Sequence, residues 1–235
     1  MALNDQSTQI RPGEELDASL IDPYLKAHIP GLSGTVKISQ FPGGASNLTY
    51  LLEYPDQEFV LRRPPFGHKA KSAHDMGREY RILNQLKDGF PYCPKAYVHC
   101  TDESVIGAEF YVMERVNGII LRSDLPAELG LDATRTEALC KSFIDKFVEL
   151  HQVDYTACGL ADLGKPEGYV ARQIRGWSER YEKALTPDAP KWEAVRAWLN
   201  DKMPADHPTS SIVHNDYRFD NVILDPHNPM QIIGV

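Results

Sequence analysis

The stretch HNDYRFDN, His214–Asn221, decides the reading of this chain. It sets a carboxylate and a carboxamide five positions apart, Asp216 and Asn221, with His214 two before the aspartate. Apolar, β-branched runs flank it: SSIVHND (210–216) leads in and NVILDP (221–226) leads out. Such runs read as short strands, so the octapeptide reads as a loop at a strand end, exposed and held by its flanks. One tight loop of this kind can aim a carboxylate oxygen at a hydroxyl proton and an amide oxygen at a cation close by. Asn and Asp are also ordinary turn residues, so a plain turn fits the same letters. The placement between two apolar runs favours the chemical reading.

Upstream of the loop the chain is predominantly helical. ATRTEALCKSFIDKFVELHQV (133–153) places Leu139, Phe143, Phe147 and Leu150 at helical spacing, and 169–185 and 192–203 also read as helices. The N-terminal half has a different character. TVKISQF (35–41), LTYLLEY (48–54) and EFVLRRP (58–64) form a meander of strands broken by PGGASN (42–47) and Pro55-Asp56. A helix over 75–88 and strands at 95–100 and 109–116 follow, and Asn117-Gly118 marks a turn. The order is a small antiparallel sheet with one inserted helix, then a mainly helical part with a late hairpin. That is an α+β chain of two lobes, 1–116 and 117–235, with a cleft between them where a ligand would bind. The polar residues 1–15, carrying Pro12 and Gly13, are expected to be disordered.

Composition narrows the partners. The net charge of −8 argues against a nucleic-acid binder and against adhesion to an anionic membrane. No apolar run is long enough to span a bilayer, and the N-terminus has no apolar leader segment. The four cysteines form no C-x-x-C pair, so a zinc knuckle is not expected. A cytoplasmic protein with free thiols is the expectation; the oligomeric state is not readable.

The parts needed to move a phosphoryl group occur in order along the chain. Gly43 and Gly44, followed by Ser46 and Asn47, would let backbone N–H groups approach phosphate oxygens, although an ordinary hairpin turn fits too. Alternation puts Val60 and Arg62 on one face of the third strand and Leu61 and Arg63 on the other. Arg62 therefore stands where a phosphate-binding cation is needed, with a solvated arginine pair as the alternative. Glu79 in the following helix could pair with Arg62 or be a surface charge. FYVMERVNG (110–118) would offer the Glu114 carbonyl and the Val116 N–H to a purine, with Met113 behind it or simply in the core. In the phosphoryl-transfer template Asp216 accepts the hydroxyl proton and Asn221 binds the metal.

These pieces, FPGGASNLTYLL, FVLRRPP, GREYRIL, FYVMERVNG, VELHQVD and VHNDYRFDNVILDP, together resemble the aminoglycoside phosphotransferase family of the protein-kinase-like superfamily. The R-R-P-P strand and the Y-R-F-D-N wording look closest to the branch found fused to acyl-CoA dehydrogenases in some animal proteins, a branch associated with hydroxyacyl substrates. The resemblance implies a bilobal protein-kinase-like fold, ATP, Mg²⁺, a small-molecule hydroxyl substrate and Asp216 as catalytic base. Two departures stand out. Arg62 replaces the family's lysine. The chain also stops at QIIGV (231–235), where the family continues into a D-W-E-like segment carrying a second metal ligand. The expectation is therefore a fragment that is inactive as it stands, with a nucleotide-binding pseudokinase as the alternative. A hydrolytic metal site built on His207, His214 and Asp216 is a third, weaker reading, because no H-E-x-x-H is present.

Overall fold

A computed structural model describes residues 5–42, 47–67, 75–122 and 125–235. Strands β1 (Lys37–Gln40), β2 (Leu48–Glu53), β3 (Glu58–Arg63), β4 (Ala96–Cys100) and β5 (Phe110–Glu114) make one antiparallel sheet in the order β1-β2-β3-β5-β4. Strict alternation along these strands gives the sheet two apolar faces. One face carries Tyr50, Leu52, Phe59, Leu61, Phe110 and Val112, all buried. It packs on Ile21 and Leu25 of helix α1 (Ala18–His28). The other face carries Leu51 and Val60 with Met113, beside helix α2 (Met76–Leu86). Asp75 caps α2 by accepting a hydrogen bond from the Arg78 N–H at 2.8 Å.

Helix α3 (Ala133–Gln152) buries Leu139 and Leu150, as its spacing predicts. Helices α4 (Tyr169–Ala184) and α5 (Glu193–Asp201) pack on each other. The late hairpin is shorter than expected: β6 (Ile223–Leu224) pairs with β7 (Ile232–Gly234). It is completed from outside by Ile119, which exchanges backbone hydrogen bonds with Leu224 at 2.9 and 2.8 Å. The result is an α+β molecule of two lobes, a sheet lobe and a mainly helical one.

Two expectations need correction. SSIVHND forms no strand, because among the described residues no other strand pairs with it. Ile212 instead packs against the buried cluster of Leu86, Phe90, Leu150 and Leu160. Residues 5–15 are ordered, and residues 1–4 lie outside the described residues. Thr8 forms an antiparallel bridge with Gln40, the Gln40 side chain binds the Arg11 N–H and Glu14, and Tyr50 donates to the Glu14 carbonyl at 2.8 Å. Polar composition removes the hydrophobic drive to fold, but here the exposed edge of β1 supplies the partners that composition does not reveal.

Candidate functional site

The loop His214–Asn221 is shaped by its own residues. Asn215 sits at φ 64°, in the left-handed region that Asn tolerates better than most side chains. That turn brings the Asp216 N–H to His214 Nδ1 at 3.3 Å. Nδ1 must be unprotonated to accept it. Burial agrees, pushing the His214 pKa down, although the nearby Asp216 works in the opposite direction. Tyr217 anchors the loop: its ring stacks on Phe147 and its hydroxyl donates to the Phe143 carbonyl at 2.8 Å. Phe219 stacks on Phe143. Asp216, Arg218 and Asn221 are left facing outward on this apolar base. Asn221 Nδ2 donates to both the carbonyl and Oδ2 of Asp216, each at 2.8 Å. Arg218 lies 3.4 Å from Asp216 Oδ1 and 2.5 Å from Asp220 Oδ2.

The sheet lobe contributes a second cluster. Val60 and Arg62 do face the cleft, while Leu61 and Arg63 are buried on the opposite side. Arg62 Nη1 lies 3.4 Å from Glu79 Oε2. The same carboxylate accepts from Asn47 Nδ2 and the Tyr111 hydroxyl, each at 2.9 Å. Burial opposes the charge on Arg62, but the oxygen of Tyr111 and the carboxylate of Glu79 outweigh it and raise its pKa overall. Arg62 Nε is buried with no hydrogen-bond partner among the described residues. A buried, unpartnered guanidinium nitrogen is expensive unless an anion satisfies it. Arg63 has a different task. It is only 2% exposed, donates to the Pro64 and Ile106 carbonyls, and lies over the Phe66 ring at 3.7 Å.

A single cleft of about 690 Å³ joins the two clusters. Arg62, Glu79, Met113, Glu114, Val116, Asp216 and Asn221 all line it. Met113 packs with Phe41, Leu51 and Val60 to make an apolar roof. The Glu114 N–H is already donated to the Lys95 carbonyl at 2.8 Å. Of the other expected residues, Asn47 braces Glu79 from behind, whereas Gly43, Gly44 and Ser46 lie outside the described residues. Sequence reading passed over Tyr111, although alternation places it on the same strand face as Met113. It also passed over Thr49, Asp5, Arg122 and Asp220, which line the same cleft.

Gly118 fixes how the two lobes meet. A Cβ there would lie 2.4 Å from the Leu224 carbonyl oxygen and 2.5 Å from Ile223 Cγ2. Only glycine lets the segment after β5 pass this close to the hairpin that follows the loop.

The comparisons with known proteins agree with this architecture. The model of the phosphotransferase enzyme family matches residues 37–235. Acyl-CoA dehydrogenase family member 11 of Gallus gallus is 33% identical over 231 residues, covering 96% of this chain and 29% of the relative. Acyl-CoA dehydrogenase family member 10 of Mus musculus is 35% identical over 207 residues, covering 86% of this chain and 19% of the relative. The chain thus spans less than a third of the length of these curated relatives. A solved Ralstonia eutropha protein assigned to the aminoglycoside phosphotransferases superposes with a TM-score of 0.80 at 34% identity, covering 94% of this chain and 64% of that one. A macrolide 2'-phosphotransferase type I, at 20% identity and a TM-score of 0.62, shares the fold. With its bilobal protein-kinase-like architecture and a family match running from β1 to the last residue, the chain belongs to the phosphotransferase enzyme family.

Proposed function

We propose that the protein transfers the γ-phosphoryl group of ATP to a hydroxyl of a small molecule, with residues 1–116 as the nucleotide-binding lobe and 117–235 as the catalytic lobe. One observation carries the reading: the Arg62–Glu79 pair and the Asp216–Asn221 loop, far apart in sequence, line one cleft of a size suited to a nucleotide. The residues fit Mg-ATP. The part of the Arg62 guanidinium that reaches the cleft suits a phosphate oxygen, and Glu79, braced by Asn47 and Tyr111, holds it there. With Asn221 Nδ2 committed to Asp216, its Oδ1 is the atom that would hold Mg²⁺. When bound, that ion neutralises charge on the β- and γ-phosphates.

The roof of Met113, Val60 and Phe41 would cover the purine, with the Glu114 carbonyl and the Val116 N–H at its edge. The Gly43-Gly44 turn with Ser46 would approach the phosphates. Asp216 would orient the acceptor hydroxyl and take its proton. Because the transition state is loose, this is mainly positioning, and Asp216 needs no raised proton affinity.

The acceptor we propose is a hydroxyl-bearing acyl compound. The cleft lining supports this with the partly exposed apolar residues Ile82, Leu83, Leu163 and Ile212. The relatives' own names, acyl-CoA dehydrogenase family members, point the same way. Four unpaired cysteines suit a reducing, cytoplasmic setting. Among the described residues no helix is long and apolar enough to cross a membrane.

Calorimetric titration with Mg-ATP tests the reading. The protein should bind, and Arg62→Ala should weaken binding by roughly tenfold or more, since hydrogen bonds to charged groups contribute about 1.5–3 kcal/mol. Absence of binding, or binding indifferent to Arg62→Ala, would refute it.

A further inference from the structure

Residues 5–14 form a strap across two regions that flank the cleft. At one end the Asp5 carboxylate accepts hydrogen bonds from Arg122 Nε at 3.2 Å and Nη2 at 3.0 and 2.9 Å. The Asp5 N–H donates to the Gly118 carbonyl at 3.3 Å, and the Asp5 carbonyl accepts from Arg115 Nη2 at 3.4 Å. Arg115 is held from the other side by Glu58 of β3 at 2.7 Å. At the far end Thr8 and Gln40 exchange backbone hydrogen bonds at 2.7 and 3.0 Å, and Arg11 Nη1 donates to the Pro42 carbonyl at 3.4 Å. Pro42 follows Phe41, which lines the cleft. Arg122 follows Leu121, which is buried with Leu224 and Ile232 beneath the catalytic loop. The strap therefore ties the end of β1 to the segment joining sheet and hairpin, and both Asp5 and Arg122 line the cleft.

We propose that Asp5 and Arg122 are positioning residues for the nucleotide. By fastening the strap across the segment 115–122, their ion pair holds the end of β1, with Phe41, and the catalytic hairpin at the spacing that Mg-ATP requires. This rests on the reading that Mg-ATP occupies the cleft. The pair acts through geometry that exists before the ligand arrives, so its loss weakens binding by removing preorganisation rather than a direct contact. The pair is partly exposed, with the Asp5 side chain at 19% and Arg122 at 42%, so its effect is modest and falls with salt.

The test is Mg-ATP titration of the full chain at low ionic strength. Asp5→Ala and Arg122→Ala should each weaken binding by about two- to fivefold, the range of an exposed ion pair. Combining Asp5→Arg with Arg122→Glu should restore affinity to near wild type, which a direct phosphate contact by Arg122 would not allow. Hydrogen exchange at the Asp5 and Thr8 amides should speed up in Arg122→Ala and recover in the swap. Singles that bind as tightly as wild type, or a swap no tighter than either single, overturn this inference alone. Failure of the wild-type protein to bind Mg-ATP overturns the nucleotide reading and this inference with it.

Discussion

Gly118→Ala makes the sharpest test of how the two lobes are joined. The added methyl would lie 2.4 Å from the Leu224 carbonyl oxygen and 3.4 Å from Ile233 Cδ1. The first contact is about 1 Å inside ordinary van der Waals separation, and the atom it meets is backbone, which cannot swing aside as a side chain can. The hairpin must retreat by a similar distance. The reciprocal Ile119–Leu224 hydrogen bonds, at 2.9 and 2.8 Å, would then stretch beyond hydrogen-bonding range. Overpacking costs about 1–3 kcal/mol and each lost hydrogen bond about 0.5–1.5 kcal/mol. The stiffer unfolded chain offsets about 0.4–1 kcal/mol of this. The net is roughly 2–5 kcal/mol, a fall in melting temperature of roughly 4–20 °C for a chain of this size. Differential scanning calorimetry measures it. Gly176→Ala is the control: a Cβ there meets nothing, and the site lies inside α4, so it should stabilise by about 0.5–1 kcal/mol. A Gly118→Ala protein melting within about 2 °C of wild type would refute the close approach.

The paired arginines of β3 should separate cleanly. Arg63→Met should lower stability by about 2–3 kcal/mol in guanidinium denaturation, because it removes one buried and one part-buried hydrogen bond and the stacking on Phe66. Its effect on Mg-ATP affinity should be small, the reverse of Arg62→Ala. Tyr111→Phe should weaken Mg-ATP binding by roughly three- to tenfold, because one of the hydrogen bonds fixing Glu79 is lost. His214 gives a pH signature. Its folded-state pKa lies below the unfolded value of about 6.5. The unfolded chain therefore takes up more protons as pH falls from about 6.5 toward the depressed folded value, and stability should decline through that window. His214→Gln should flatten the decline, as read from melting temperature between pH 7 and pH 5; an unchanged slope would show that other groups cause it.

The parts legible in the sequence are those encoded locally. The three-strand meander, α2 and α3 announce themselves through period and through Gly or Pro stops, and their observed bounds differ from the expected ones by only a few residues. Alternation along EFVLRRP correctly sent Arg62 and Arg63 to opposite faces, and so distinguished the cleft arginine from the buried one. What escaped depends on partners distant in the chain. The N-terminal strap looks like a disordered tail until the free edge of β1 and Arg122 are in place. SSIVHND has strand composition but, among the described residues, no neighbouring strand to bond, and Ile212 goes to packing instead. Tyr111 could have been found by carrying alternation one strand further, because it sits directly across from Arg62 in the β3–β5 register. Asp220 and Asp5 gave no local signal, since a carboxylate reads the same on any exposed turn.

The central claim is that Asp216 serves phosphoryl transfer from a nucleotide in this cleft. The most direct measurement is Mg²⁺-dependent transfer of the γ-³²P of ATP to a panel of hydroxylated acyl compounds, amino alcohols and sugars, comparing wild type with Asp216→Ala, both in a chain continued through the D-W-E-like segment expected after Val235. The account predicts label in an acceptor with wild type and a loss of roughly 10²-fold or more in the variant, the usual contribution of a positioned proton acceptor. Transfer undiminished in Asp216→Ala would contradict it.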